Sequence, residues 1–433
     1  MPALTTPGFP FPALRHRNFR LFIGGQFVSL CGTWMQTVAR GWLVLQLTDS
    51  AFQVGLVSAF GSVPILLFTL YGGVLADRVN KVRAITMLQG LMLFEALSLA
   101  LLTQFHLITV HWVMGLALFI GTLSAFEVPI RQAFIIEMVG REDLMNAIAL
   151  NSSVFNVTRI IGPSIAGILI ATAGIAACFF GNALSYLAVL GGLLMMRFPQ
   201  GTSGPSRPAG EGSFAEGRRY VFTEPLPRAL LILTAVFSIF GFSFVTMLPV
   251  YARNVLHTGA AGYGGLMSSV GIGASIGAIT MAWLGGRVRG TAIVRWGGVV
   301  FGIALILTAL AHSYLVALGL LGLAGCAMIF NNIMTNTLLQ TRTPDHLRGR
   351  VMSYYSLMVL GMAPFGSLQA GWVAEHFGVG ASLAVGGVVC ILLTLIVVGS
   401  GLPDPRPDEL PASEGLEPMQ PIEAAGPIEP LEP

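Results

Sequence analysis

Twelve apolar runs succeed one another along this chain with only short polar connections, at approximately 18–46, 52–77, 84–105, 111–139, 143–172, 174–197, 224–250, 259–286, 291–311, 313–341, 346–374 and 378–400. A helix needs about 20 apolar residues to cross the hydrocarbon core of a bilayer. Each run therefore predicts one membrane span, and the chain reads as an all-α integral membrane protein. Composition agrees: 54% of the 433 residues are hydrophobic and only 10% are charged, with a mean hydropathy of +0.77. Soluble domains carry roughly 25% charged residues, so a soluble globule is excluded. Cys31, Cys178, Cys326 and Cys390 each fall inside an apolar run. Isolated in this way they read as small core residues, not as a disulfide framework or a metal site. No metal and no cofactor is expected.

The net charge of +3 conceals a zoning. Arg15, Arg17 and Arg20 precede the first run or open it, and Arg78, Lys81 and Arg83 follow the second. Arg141 follows the fourth, and Arg197, Arg207, Arg218, Arg219 and Arg228 surround the central connection. Arg287, Arg289 and Arg295 follow the eighth, and Arg342, Arg348 and Arg350 follow the tenth. The alternate connections, near Asp49, Gln104–His111, Thr172–Gly174, His312 and His376, hold no Lys or Arg, and Arg253 alone breaks the pattern. Basic residues stay on the cytoplasmic side of a membrane. Both termini and the central loop are therefore expected there, with His106, His111, His257, His312 and His376 at the outer face.

The same reading divides the chain. Residues 1–17 are expected to be a retained cytoplasmic tail, because the first twenty residues hold four prolines and no compact apolar core ending in a cleavage site. Residues 198–223, rich in Gly, Ser, Pro and Arg, form a cytoplasmic loop that separates six spans (18–197) from six (224–400). Beyond Leu402 nine prolines and eight acids accompany few large apolar residues. A tail of that kind buries too little surface to fold, so 401–433 is expected to be disordered and cytoplasmic.

Between the second and third runs lies Gly72-Gly73-Val74-Leu75-Ala76-Asp77-Arg78-Val79-Asn80-Lys81-Val82-Arg83. A connection this short must turn two membrane helices tightly and hold its charges at the membrane face. An ordinary positive loop would do so too, but the sequence resembles the signature Gly-x-Leu-Ala-Asp-Arg-x-Gly-Arg of the major facilitator superfamily. Gly73, Leu75, Ala76, Asp77, Arg78 and Lys81 fit it, with Arg83 beyond; Asn80 stands where glycine is usual. Asn tolerates a left-handed turn better than most residues, so the departure is mild. The resemblance implies two pseudo-symmetric six-helix bundles with a cargo cavity between them near the bilayer midplane. It also implies a gating role for this motif. Asp77 is expected to accept hydrogen bonds from a neighbouring helix N-terminus, or to pair with arginines, while the cytoplasmic side is closed. Weak internal echoes agree with two halves: Glu137…Arg141-Glu142-Asp143-Leu144 matches Gln340…Pro344-Asp345-His346-Leu347, and Gly285-Gly286-Arg287-Val288-Arg289 is a decayed copy of the loop motif without its acid.

A second resemblance narrows the group. Phe19-Arg20-Leu21-Phe22…Gly25-Gln26…Gly32-Thr33-Trp34-Met35-Gln36, Ala125-Phe126-Glu127-Val128-Pro129-Ile130-Arg131, Arg141-Glu142-Asp143-Leu144-x-Asn146-Ala147 and Arg159-Ile160-Ile161-Gly162-Pro163-Ser164-Ile165-Ala166-Gly167 together resemble the bacterial secretion-effector branch that includes enterobactin exporters. Macrolide and drug efflux proteins are similar, less closely. That branch exports small amphipathic compounds, drug-like or siderophore-like, usually by proton antiport. Gly162, Pro163 and Gly167 also resemble the fifth-helix motif of proton antiporters, with Ala166 replacing one glycine. Small residues there permit close helix contact and the proline bends the helix. A kinked packing helix without bearing on direction is the alternative.

Ionisable residues inside the runs are Arg40, Glu95, Glu127, Arg131 and Arg159, all in the first half. Each costs roughly 2.5–3.5 kcal/mol or more at the bilayer centre. Glu127 and Arg131 are four residues apart and share a helix face. At about 1.5 Å per residue Glu127 lies roughly 18 Å, and Arg159 roughly 24 Å, above the cytoplasmic ends of their helices. A Glu127–Arg131–Arg159 cluster is then geometrically reasonable, either as a proton-coupling site or as a permanent ion pair that fixes packing. Glu95, on a helix the family places peripherally, reads as structural. Arg40 either attracts an anionic cargo or snorkels to the outer surface. Asn331, Asn332 and Gln369 are cargo-cavity candidates, or bond between helices, and Asn336 shares that reading. Phe237, Phe240, Phe244 and Met247 form a stripe that faces core, lipid or cavity.

Several chemistries drop out. Lys81 is the only lysine and Val82 follows it, so no Gly-x-x-x-x-Gly-Lys-Ser/Thr loop exists and there is no ATP-binding motif. Gly271-x-Gly273-x-x-x-Gly277 lies within a membrane run and serves packing. No convergent catalytic groups and no nucleic-acid-binding pattern are present, so an enzyme is not expected. The reading is a secondary transporter whose partners are a small-molecule cargo, the lipid bilayer and a coupling proton. An uptake symporter on the same fold, or a lipid-flipping protein, is the alternative.

Overall fold

The computed structural model describes residues 11–76, 78–140, 142–196, 214–284 and 288–399. Asp77, Arg141, the stretch from Gly285 to Arg287, most of the central loop and the acidic tail from Ser400 onward lie outside them, as does the tail before Phe11. Among the described residues the chain is helical throughout. After a short 3-10 turn at Pro12–Arg15 come α1 (Arg17–Thr48), α2 (Ala51–Ala76), α3 (Lys81–Gln104), α4 (Val110–Val139), α5 (Leu144–Ala173) and α6 (Ile175–Met195). Then follow α7 (Phe214–Thr223), α8 (Pro225–Val236), a π segment (Phe237–Gly241) and α9 (Phe244–Asn254). The chain closes with α10 (Ala260–Leu284), α11 (Gly290–Leu310), α12 (Tyr314–Arg342), α13 (Asp345–Gly361), α14 (Ala363–Phe377) and α15 (Val379–Gly399).

Eleven stretches are long and apolar enough to cross a membrane, two of them composite: Pro225–Asn254 and Asp345–Phe377. The twelfth span is α1, 32 residues long, which packs among them while carrying Gln26, Gln36 and Arg40. The sequence-derived spans match these elements to within a few residues. The exception is α7, a ten-residue helix inside the stretch read as loop. It is amphipathic, and it is tied to the helices above it by Tyr220 Oη donating to the Arg342 carbonyl at 3.1 Å and by Arg350 on Glu216 at 3.3 Å. That docking, and not its own apolar content, makes it a helix.

Each half packs as a bundle. In the first, α1 lies against α5 and α6, α2 against α4, and α3 against α4 and α6. In the second, α10 lies against α12, and α11 against α12 and α15. The halves meet along two seams, α2 with α14 and α5 with α10. The second seam and the packing of α5 on α1 explain the small residues of the fifth span. A methyl on Gly167 would sit 2.9 Å from the Cα of Ala261, and one on Gly162 would sit 3.0 Å from the Cys31 carbonyl oxygen of α1. Only glycine allows backbones to approach this closely. The aromatic stripe of the seventh span turns inward as core: Phe237 and Phe244 pack on Phe301 with ring centroids 5.5 and 6.0 Å away.

The end of the bundle bearing Arg78, Arg83, Arg289 and Arg342 is called the basic end below, and the opposite one the far end.

Candidate functional site

A cavity of about 410 Å³ lies between the halves, walled by α1, α2, α4 and α6 on one side and by the π segment, α9 and α14 on the other. α1 gives it a row of polar groups and, among the described residues, its one charged side chain. Thr33, Gln36, Thr37 and Arg40 recur at three- and four-residue steps, so a single helical face presents them all to the cavity. Opposite, the helices break. The π segment widens one turn, with Phe242 N donating to the Phe237 carbonyl at 2.7 Å, and Ser238, Phe242 and Ser243 line the wall there. The interruption at Met362, ahead of Pro364 in the first turn of α14, brings Ala363 and Ser367 to the same wall. Helix irregularity at membrane depth is tolerated where it lines a cavity.

Behind the α1 face sits a fully buried carboxylate. Glu95 of α3 has no exposed surface. Both its oxygens accept from Gln36 Nε2, at 3.1 and 2.8 Å. Gln36 Oε1 in turn accepts from Asn182 Nδ2 at 2.7 Å, and Asn182 Oδ1 accepts from Ser185 Oγ at 3.0 Å. Gln36 and Asn182 both line the cavity. Arg40, one turn further along α1, is within electrostatic reach of Glu95, Tyr186 and Tyr263. A buried acid is thus joined to the cavity wall through two side-chain amides, with one fixed cation beside it.

The cavity is closed at the far end. Arg253, the exception to the charge zoning, pairs with Asp49 across the two halves and donates to the Leu45 carbonyl at 3.1 Å. Glu375 of α14 accepts from Phe52 N and from Ser50 Oγ, each at 3.1 Å, and so caps the start of α2. Asp49 adopts a left-handed conformation (φ 53°) at the end of α1. Towards the basic end a second cleft, of about 360 Å³, runs between α2, α4 and α13; Ile65 lines both spaces, and Gly73 and Pro129 line the second.

The sequence candidates separate on this frame. Of the gating motif, Gly73 faces the cleft, and Lys81 pairs with Glu137 of α4 at 2.5 Å while buried. Arg78 and Arg83 are exposed, and Asp77 lies outside the described residues. Asn80 does not make the left-handed turn expected of it. Its backbone is extended (φ −69°), and its Oδ1 accepts from Arg83 N at 3.0 Å as the cap of α3. A capping side chain satisfies one of the free N–H groups of the first helical turn, which glycine cannot do.

The three-member cluster on the fourth and fifth spans does not form. Glu127 pairs with Arg131 at 3.4 Å and accepts from Gln89 Nε2 at 3.5 Å. Arg159 makes no ion pair among the described residues, because α5 packs mainly on α1 and α10 whereas α4 packs mainly on α2 and α3. Although consecutive in the chain, α4 and α5 meet only marginally. Arg40 stands at the cavity rather than reaching for the outer surface. The other cargo-cavity candidates are elsewhere. Asn331 Nδ2 donates to the Val294 carbonyl of α11 at 3.3 Å, Asn332 Oδ1 accepts from Tyr355 Oη at 2.8 Å, and Gln369 is absent from the lining. The sequence reading missed Gln36 and Asn182 as wall residues and the bonds that join Glu95 to them. The signal for the first was the period of Thr33, Gln36, Thr37 and Arg40 within an apolar run.

Comparison with known proteins agrees with this architecture. The family model described as "Transmembrane secretion effector" matches residues 9–425. The chain is 26% identical to the staphyloferrin A transporter of Staphylococcus aureus over 378 residues, 87% of this chain and 94% of that one. It is 26% identical to the enterobactin exporter EntS of Citrobacter koseri over 410 residues (92% and 96%). It is 27% identical to the multidrug efflux pump Tap of Mycolicibacterium fortuitum over 385 residues (85% and 91%). The crystal structure of a bacterial homologue of the human lysosomal transporter Spinster, inward-facing and unoccupied, shares the fold with a TM-score of 0.70 at 16% identity, covering 90% of this chain and 96% of that one. The chain is a multi-pass membrane transporter, not an enzyme, and it belongs to the transmembrane secretion effector family within the major facilitator superfamily.

Proposed function

We propose that the protein exports small amphipathic molecules, drug-like or siderophore-like, from the cytoplasm in exchange for protons. The basic end then faces the cytoplasm with both termini, as the charge zoning supports, and the 18–197 and 224–400 bundles rock about the cavity between them. The far-end closure with a cleft towards the basic end is the arrangement in which cargo enters from inside. Hydroxyls on both walls, with the amides and Arg40 on the first and Phe242, Val245 and Ala363 on the second, suit a cargo with hydrogen-bonding groups on an apolar frame. The named relatives, an enterobactin exporter and a multidrug efflux pump, support that class.

The observation that carries the coupling is the Glu95–Gln36–Asn182 chain. It favours Glu95 over Glu127 as the proton-carrying group, since Glu127 already has Arg131 beside it, whereas Glu95 is joined to the cavity wall through Gln36. Ionised Glu95 takes the amide N–H of Gln36. Protonated Glu95 keeps one acceptor oxygen and gains an O–H donor; where that donor takes the amide oxygen of Gln36, the amide turns over and gives up its bond from Asn182. Cargo seated against the present arrangement of the two amides stabilises the ionised acid, and proton uptake from the outside reverses the amides and releases the cargo. Binding of proton and cargo thus exclude one another, as antiport requires.

The test uses inverted vesicles with an imposed pH gradient, offered labelled enterobactin, macrolides and cationic dyes. Gradient-dependent accumulation of one class is expected, lost on collapsing the gradient. In Glu95→Gln, uphill accumulation vanishes while downhill exchange of the same cargo persists. Uphill transport at the wild-type rate in that variant refutes the assignment, and accumulation only with the opposite gradient refutes export by antiport.

A further inference from the structure

On the membrane-facing side of the second half, α11 and α12 part to leave an apolar groove of about 280 Å³, separate from the central cavity. Val288, Ile293, Trp296, Leu323, Cys326 and Phe330 line it. Val288, Trp296 and Leu323 are 41%, 59% and 46% exposed, so the groove opens outward to lipid and not into the bundle. It occupies the half of the membrane nearer the basic end, where α11 begins. Two cations flank it there. Arg289 adjoins Val288 at the start of α11, and the Arg295 guanidinium lies 5.3 Å over the ring of Trp296. Both are exposed, and neither joins an ion pair among the described residues. The sequence explains why: between Asn254 and Pro344 there is no Asp or Glu at all. An apolar slot therefore ends beside two arginines without ion pairs among the described residues and an indole ring, a residue type that sits at headgroup level in membranes.

We propose that this groove binds one acyl chain of an anionic glycerophospholipid, whose phosphate rests on Arg289 and Arg295. The apolar lining takes a chain of any lipid, and the arginines select the headgroup. A basic residue at an anionic bilayer surface is worth about fivefold in binding, so two predict a preference of roughly tenfold or more. The site is independent of cargo transport and stands whether or not the transport reading does.

The experiment equilibrates purified protein with mixed micelles holding equal phosphatidylglycerol and phosphatidylethanolamine, then measures the lipid retained after gel filtration by mass spectrometry. Wild-type protein is expected to retain phosphatidylglycerol about tenfold over phosphatidylethanolamine. Arg289→Gln with Arg295→Gln abolishes the preference, whereas Arg289→Lys with Arg295→Lys keeps most of it. Ala292→Phe, which fills the groove from one wall, lowers the retained lipid to the level of bulk micelle. Labelling of Cys326 by an apolar maleimide is slower in phosphatidylglycerol than in phosphatidylethanolamine for the wild type. Equal retention of the two lipids by wild-type protein overturns the proposal even if every variant misfolds. Unchanged preference in either the double Gln variant or Ala292→Phe places the lipid elsewhere and overturns it too.

Discussion

Arg253→Ala should open the far end. Two contacts of this side chain bridge the halves: the pair with Asp49 and the bond to the Leu45 carbonyl. Asp49 is 82% exposed, so the pair ranks with surface ion pairs, at about 0.2–1 kcal/mol. The bond from a charged donor to a carbonyl is worth about 1.5–3 kcal/mol, and with Arg253 29% exposed the lower figure applies. Together they hold the closed far end by about 2 kcal/mol, or roughly thirtyfold in the ratio of closed to open states. A cysteine at Ser62, on the cavity wall, reports that ratio through labelling by a membrane-impermeant maleimide added from the far side. Labelling should rise by about tenfold or more in Arg253→Ala, and only a few-fold in Asp49→Ala, which leaves the Leu45 bond in place. Exchanging the two charges should restore part of the closure. Labelling unchanged by Arg253→Ala refutes the closure, and equal effects of the two alanine variants refute the larger share given to the carbonyl bond.

Four further outcomes follow from the same geometry. Gln36→Leu should uncouple transport as Glu95→Gln does, without altering any charge, and is checked by comparing uphill accumulation with downhill exchange. Glu127→Gln should leave uphill transport working but lower the thermal midpoint in detergent, since an arginine is then left half-buried without its acid. Gly167→Val should destabilise by about 1–3 kcal/mol, because the added carbon meets Ala261 on the facing helix. The loss should appear as a lower midpoint together with increased far-side labelling at Ser62→Cys. Lys81→Met should lower the midpoint, because it strips Glu137 of its partner at the α3–α4 contact; Glu137→Gln in the same chain should recover part of the loss.

The spans were legible because hydropathy and charge zoning act over whole helices, and one misplaced residue does not erase a run of twenty. Partners within the membrane were not. Glu127 and Arg131 are joined by helical period alone, so their pairing could be read. Arg159 could not be placed, because its surroundings depend on which helices neighbour α5, and chain order says nothing of that once a bundle interleaves its members. The partner of Glu95 was not legible for a related reason. Glu95 lies on a peripheral helix, yet its carboxylate points inward and meets Gln36, 59 residues earlier in the chain. Asn80 was read by its tolerance of a positive φ, when its side-chain oxygen was the property in use.

The division of polarity between the halves bears on mechanism. Arg40, Glu95, Glu127, Arg131 and Arg159 all belong to the first half, whereas the second half, among the described residues, lines the cavity with no charged side chain and meets it with interrupted helices, a π segment and the break at Met362. A buried carboxylate tolerates little movement of its partners, because an unsatisfied charge in a low-dielectric site costs several kcal/mol. Regular helices such as α1, α3 and α6 hold the Glu95–Gln36–Asn182 chain to such tolerances. Interrupted helices supply the opposite property: where intrahelical bonds are already shifted or missing, a change in bend breaks fewer of them. On the coupling proposed above, the first half is suited to sensing a proton and the second to changing shape against it, with the amide of Gln36 at the boundary between the two tasks.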